Sequence, residues 1–337
     1  MAKRGMRRGQ LGWPDEWAFW HHVENYKKTN KLRSLERAAL ARLHCHNTLD
    51  YLAYRVATAY ADAGIPVRAA VESVWIDGTP QASGTTVSGK TVNCELADLL
   101  YLVDERDLAN KLVTRRGLLL QGKLANQQDV LLGGPSTTKE RNLLECLDTR
   151  AALELYRDTK RTNRIGSYQF KPGASSNYAG MEDCARYLMM PKSLSQWRKL
   201  CLFSPLSVGW PRRRTEVKLG SVRRLSQVIE DMGLAATQGK PVIAPSACEW
   251  SRMVYDLLGK YEKPPSLLGG PPLPVPHAYA GHRIHRSHIH HYSSFLSLMD
   301  ADMPPISPFT TVLYEDEPPG ISFVRLTVYR EVDHIRG

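Results

Sequence analysis

No Cys-x-x-Cys pair occurs in this chain. Its six cysteines, Cys45, Cys94, Cys146, Cys184, Cys201 and Cys248, are scattered. That pattern excludes a Cys-based zinc ribbon and argues against a disulfide framework. No apolar run approaches the roughly 18–20 residues a membrane span needs. The basic start, Met1 to Arg8, is followed by no apolar signal core. No internal repeat is present. The segment Gly133 to Lys139 contains Gly, Ser, Thr and Lys but lacks the spacing of a phosphate-binding loop, so it reads as the start of a helix. These absences together predict a cytoplasmic protein with no membrane partner. Acid is also in short supply, with 34 Asp and Glu against 45 Lys and Arg, a formal net charge of +11. An excess of that size favours polyanions, nucleic acid first among them.

Apolar residues make up 42% and charged residues 23%, so a folded core is expected rather than disorder. Composition suggests three parts. Residues 1–33 form a basic segment with Trp13, Trp17, Phe19 and Trp20, suited to packing on a core or stacking on bases. Residues 34–192 alternate helical and strand-like patterns. Residues 193–337 form a C-terminal extension of helices, Pro-rich loops and a final strand over 320–329.

Within the middle part, Ser34 is an N-cap for a helix carrying Leu35, Ala38, Ala39, Leu40 and Leu43. A second helix spans 48–63, stopped by Gly64 and Pro66. Val67 to Asp77 is strand-like. Residues 78–91, rich in Gly, Ser and Thr, read as a long loop. Thr137 and Glu140 form a capping-box pattern for a helix running through Leu155 and Tyr156. Short strands are expected at 167–170 and 185–190. The order implies an α/β fold with a central mixed sheet flanked by helices.

Two apolar runs of strand length, Cys94 to Val103 and Gly117 to Ala125, organise this region. Their near-continuous apolar character predicts strands buried on both faces. Paired as a hairpin, they bring the start of one to the end of the other. Asp98 then lies beside Gln121 and Lys123, which share one strand face because the strand period is two. A carboxylate, an amide oxygen and an ammonium on a rigid sheet can support metal-dependent phosphodiester hydrolysis. The carboxylate would ligate Mg²⁺, a hard cation that prefers oxygen and keeps several waters, and Mn²⁺ could substitute. Lys123 would orient the attacking water and stabilise charge on the phosphate. The competing reading is a partly buried Asp98–Lys123 ion pair at a sheet end.

An Asp before an apolar strand, followed by a strand ending in Gln-x-Lys, resembles the PD-(D/E)XK nuclease superfamily, closest to its Mrr-type branch with Gln in the second acid position. The matching residues are Asp98, Gln121 and Lys123. The resemblance implies a restriction-endonuclease-like core over residues 34–192, Mg²⁺ as cofactor and DNA as substrate. It also implies an endonuclease, with a role in defence against foreign DNA. Such enzymes place a further Glu near the metal, for which Glu36, Glu95 and Glu72 are the candidates. A homodimer and an activating protein or ligand fit the same picture. A catalytically silent module that binds nucleic acid or a partner protein is the alternative.

Two features stand apart. His277, His282, His285, His288, His290 and His291 crowd together, as a zinc site or a plain connector. Arg212, Arg213, Arg214 and Lys218 form a cationic set that would hold phosphates or simply a solvated face.

Overall fold

The computed structural model describes residues 34–44, 46–76, 78, 80–170, 179–192, 205–259 and 320–331, with short pieces within 23–29 and 278–297. Helix α1 (Leu35–Leu43) starts where expected, with Ser34 Oγ accepting from the Arg37 N–H at 3.1 Å. Helix α2 (His46–Asp62) follows and ends before Gly64, which takes a positive φ of 77°. Strand β1 (Val67–Val74) then enters the core.

Two short strands come next, β2 (Gln81–Thr85) and β3 (Thr91–Glu95). They replace the loop expected over 78–91. Pairing with β6 (Leu153–Tyr156) and β7 (Arg164–Tyr168), they build a four-stranded second sheet in the order β3-β2-β6-β7. Small residues are required there, not flexible ones. A Cβ on Gly84 would lie 2.7 Å from Leu147 Cδ1 and 3.3 Å from Leu153 Cδ1. The glycine marks a close approach rather than a loop.

The central hairpin is β4 (Leu99–Arg106) and β5 (Leu112–Ala125), antiparallel, with Leu99 opposite Leu120 and Leu102 opposite Gly117. Every residue of β4 is buried, as strands covered on both faces must be. Cys94 and Glu95 belong to β3 rather than to this hairpin. Helix α3 (Pro135–Cys146) crosses over to β8 (Ala185–Pro191), which runs parallel to β5. It ends at Cys146, short of the expected 155–156. Leu147 leaves the helical region (φ −52°, ψ 129°), and Leu153 onward forms β6. Thr137 is not the N-cap, because the helix begins at Pro135 after Gly134. Proline is well placed in a first helical turn.

Beyond β8 come β9 (Ser207–Gly209), β10 (Arg223–Arg224), helix α4 (Leu225–Glu230) continued by a wider turn over Asp231–Ala235, β11 (Lys240–Pro241) and helix α5 (Glu249–Leu258). Short strands β12 (Ala278–Tyr279) and β13 (Arg286–Ser287) pair with each other, and β14 (Ser294–Ser297) pairs with β1. The last strand, β15 (Phe323–Arg330), is antiparallel to β1 and parallel to β4. The main sheet is therefore mixed, in the order β10-β9-β8-β5-β4-β15-β1-β14, with β11 added beside β5.

This order corrects the three-part division. The C-terminal stretch is no appendage to a core ending at residue 192. Its strand β15 lies inside the sheet, between β1 and β4. Ser322 fastens it there: its hydroxyl accepts from the Ile76 N–H at 2.7 Å and donates to the Ile76 carbonyl at 2.5 Å. Helices α1, α2 and α4 cover one face of the main sheet, with Leu40, Leu43, Leu52, Val56 and Val228 in one apolar cluster. Helices α3 and α5 cover the other, with Leu143, Leu144, Trp250 and Met253 in a second. Among the described residues no helix is long and apolar enough to cross a membrane. The aromatic N-terminal cluster and the histidine cluster lie outside the described residues.

Candidate active site

The hairpin register brings Asp98, the residue before β4, to the last part of β5. Asp98 Oδ2 accepts from Gln121 Nε2 at 2.5 Å and from the Gly122 N–H at 2.7 Å, across 23 and 24 positions of sequence. The strand backbone of β5 thus fixes the carboxylate directly. Gly122 is tight against it: a Cβ there would lie 3.4 Å from Asp98 Oδ2, 3.0 Å from Met190 Cε and 3.1 Å from Leu40 Cδ2.

Two helices on opposite sheet faces complete the site. From α1, Glu36 Oε2 accepts from the Leu124 N–H at 3.3 Å. From α3, Glu140 Oε2 pairs with Lys123 Nζ at 2.6 Å, both side chains nine-tenths buried. Glu140 Oε1 also accepts from Ser136 at 2.8 Å. The Asp98–Lys123 ion pair of the competing reading is not formed among the described residues; Lys123 is held by Glu140 instead. Glu140 was assigned to a helix cap by sequence, yet it stands on the buried stripe with Leu143 and Leu144.

Asp98, Gln121, Glu36, Ser136 and Glu140 line a cleft of about 180 Å³ at the sheet end, room for several waters at ~30 Å³ each, and Lys123 touches it only through Glu140. Its walls include Glu36, Glu95, Asp98, Gln121, Glu140 and Trp75. Glu95, at the end of β3, is among these walls. Glu72 is not. It sits in the middle of β1, opposite Arg325 of β15, and forms a buried ion pair with that guanidinium. A carboxylate committed to a buried arginine belongs to the sheet interior, so Glu72 is withdrawn as a metal ligand.

Charge is finely set in the cleft. Loss of water pushes the Asp98 carboxyl up to about 7; the Lys123 ammonium opposes this, and Glu36 and Glu140 add to it. Burial works against the charge on Lys123, but Glu140, Asp98 and Glu36 more than offset it and lift its pKa above the ordinary lysine value. Lys123 is thus an ammonium across the physiological range. It can donate hydrogen bonds and neutralise charge, and it cannot serve as a base.

The donors facing the cleft are all oxygen: carboxylates of Asp98, Glu95 and Glu36, and the Gln121 carbonyl. Gln121 Oε1 is buried with no hydrogen-bond partner among the described residues. An orphaned carbonyl beside a carboxylate fits a hard cation such as Mg²⁺. No ready-made cage of three or more His, Cys, Asp or Glu exists among the described residues. A cation here would draw on one or two carboxylates, the amide and water.

Arg212, Arg213, Arg214 and Lys218 are not brought to this cleft. Their loop lies against the C-terminal end of α3, where Thr215 N–H donates to Glu145 at 2.6 Å and Arg141 donates to the Glu216 carbonyl at 2.6 Å. Arg212 and Arg214 line a smaller hollow with Trp210, Glu145 and Glu182. Lys218 faces Asp129 at 3.8 Å.

No protein-family model, no curated protein and no solved structure matches this chain.

Proposed function

We propose that the cleft is the active site of a Mg²⁺-dependent nuclease that hydrolyses phosphodiester bonds, with DNA as substrate. The observation that carries this reading is the convergence of Asp98 and Gln121 on one cleft where β4 begins and β5 ends, with Lys123 held next to it by the cleft residue Glu140. Two helix carboxylates, Glu36 and Glu140, flank them. A structural salt bridge needs neither an orphaned amide carbonyl nor four acids around a solvent-filled hollow. The mixed sheet with the β5–α3–β8 crossover supports the restriction-endonuclease resemblance.

In this reading Asp98, Gln121 and Glu95 hold Mg²⁺, and Mn²⁺ can replace it. The cation supplies a polarised phosphoryl oxygen and an acidified water. The chain's own residues do the rest. The β5 amide of Gly122 fixes the Asp98 carboxylate, so the ligand needs no rearrangement. Lys123 donates from its ammonium to the non-bridging phosphate oxygens, where charge builds as the bond breaks. Glu140 holds that ammonium in place. The acidic floor repels a bare phosphate, which makes hydrolysis depend on the cation. A role in defence against foreign DNA follows from the family resemblance, and activation by a partner or ligand would spare the host from a nuclease that is always active.

A second reading has its own observation. Asp98 is engaged by Gln121, and Lys123 by Glu140. A module locked in this way could bind nucleic acid or a partner protein without cutting. Calorimetric titration with Mn²⁺ separates the two. The nuclease reading expects binding that Asp98→Ala and Gln121→Ala weaken by tenfold or more. Equal heats from all three proteins favour the silent module.

A further inference from the structure

The cleft has one wall that the hydrolytic groups leave unexplained. Trp75 follows β1 and lines the cleft beside Ile76 and Gly78. Its neighbours Val74 and Ile76 are buried, while Trp75 is half-buried. Among the described residues no hydrogen bond, ion pair or ring contact engages its indole. Its backbone is nonetheless fixed, because the next residue, Ile76, makes both hydrogen bonds to Ser322. Gly78 closes the turn at a φ of 82° with open space around it. A rigidly mounted, unpartnered indole therefore faces a cleft whose other lining is mostly acid and amide. Arg37 of α1, exposed, also lines the cleft.

From this placement we infer that the enzyme takes single-stranded nucleic acid, with Trp75 stacking on the base next to the scissile phosphate and Arg37 meeting a neighbouring phosphate. The inference rests on the phosphodiesterase reading of the same cleft. An aromatic face gains little from a duplex, whose bases already stack on one another. It gains from an unpaired base, and such stacking is sequence-tolerant. Bulk hydrophobic packing does not explain Trp75, since it joins neither apolar cluster of the sheet.

The test uses the full chain in Ca²⁺ and EDTA-free buffer, with a fluorescein-labelled 20-nucleotide DNA strand and the same strand as a duplex. Anisotropy titration is expected to show the single strand bound about tenfold more tightly. Trp75→Ala should lose about tenfold on the single strand and change duplex affinity little, while Trp75→Phe keeps most of the affinity. A strand carrying 2-aminopurine should be quenched by the wild-type protein, a readout that stands even where Trp75→Ala does not fold. Equal affinity for both forms, or unquenched 2-aminopurine in a bound strand, overturns the inference. Duplex plasmid cut in Mg²⁺ alongside those results would sink the single-strand inference alone. Failure to bind either form together with failure to cut would sink the phosphodiesterase reading with it.

Discussion

Lys123 Nζ lies 2.6 Å from Glu140 Oε2, joining the end of a central strand to the helix that crosses over behind it. Both side chains are nearly excluded from solvent, so neither charge can be removed alone without leaving the other buried and uncompensated. Breaking such a pair costs about 3–5 kcal/mol, while replacing both partners by apolar groups is close to neutral. Glu140→Gln is therefore expected to destabilise the fold by about that amount in urea denaturation. Glu140→Leu combined with Lys123→Met should recover most of the loss. Simple addition of the two single losses in the double variant would show that the pair is not coupled.

Asp98 gives a pH dependence with a defined sign. Its carboxyl stands at about 7 in the folded chain, above the ordinary 3.8. A group raised on folding contributes stability that is fully present below the lower value and is lost as pH rises through the upper one. Metal-free protein should therefore lose melting temperature between about pH 4 and pH 7 from this group, on the order of 1 kcal/mol per pH unit. Asp98→Asn should flatten that slope. Added Mg²⁺ should restore stability above pH 7 in the wild type and not in the variant. Identical pH slopes for the two proteins in EDTA would show that Asp98 is not the group responsible.

The placement of β15 predicts the fate of fragments. A chain ending at residue 192 lacks the strand between β1 and β4, and with it the Ser322 bonds to Ile76. It would expose unpaired strand edges and lose Phe323, Val324, Leu326 and Val328 from the two apolar clusters. Such a fragment is expected to show no cooperative unfolding transition and to aggregate. A sharp, reversible melt of residues 1–192 would contradict this topology.

The parts of the site legible in sequence are those with a local period. Two apolar runs of strand length and a period of two sufficed to place Asp98 beside Gln121 and to set Lys123 on the same face. Glu140 carried a signal that a capping reading hid: it stands three and four positions before Leu143 and Leu144, on their helical stripe, where a carboxylate needs a buried partner. The second sheet was obscured because its strands use Gly, Ser and Thr to fit beneath α3, and composition alone assigns those residues to loops. The insertion of β15 between β1 and β4 has no local signature at all, since it pairs residues more than two hundred positions apart. Glu72 misled for the same reason. Its partner Arg325 lies on that distant strand.

The most direct measurement is cleavage of supercoiled plasmid and of single-stranded circular DNA by the purified full chain in Mg²⁺ and in EDTA, with Asp98→Ala and Lys123→Ala alongside. The account predicts Mg²⁺-dependent cutting of the single-stranded circle by the wild type, with the duplex plasmid left largely intact, abolished by EDTA and reduced at least a hundredfold in both variants. Equal cutting by all three proteins, or cutting that persists in EDTA, would contradict it.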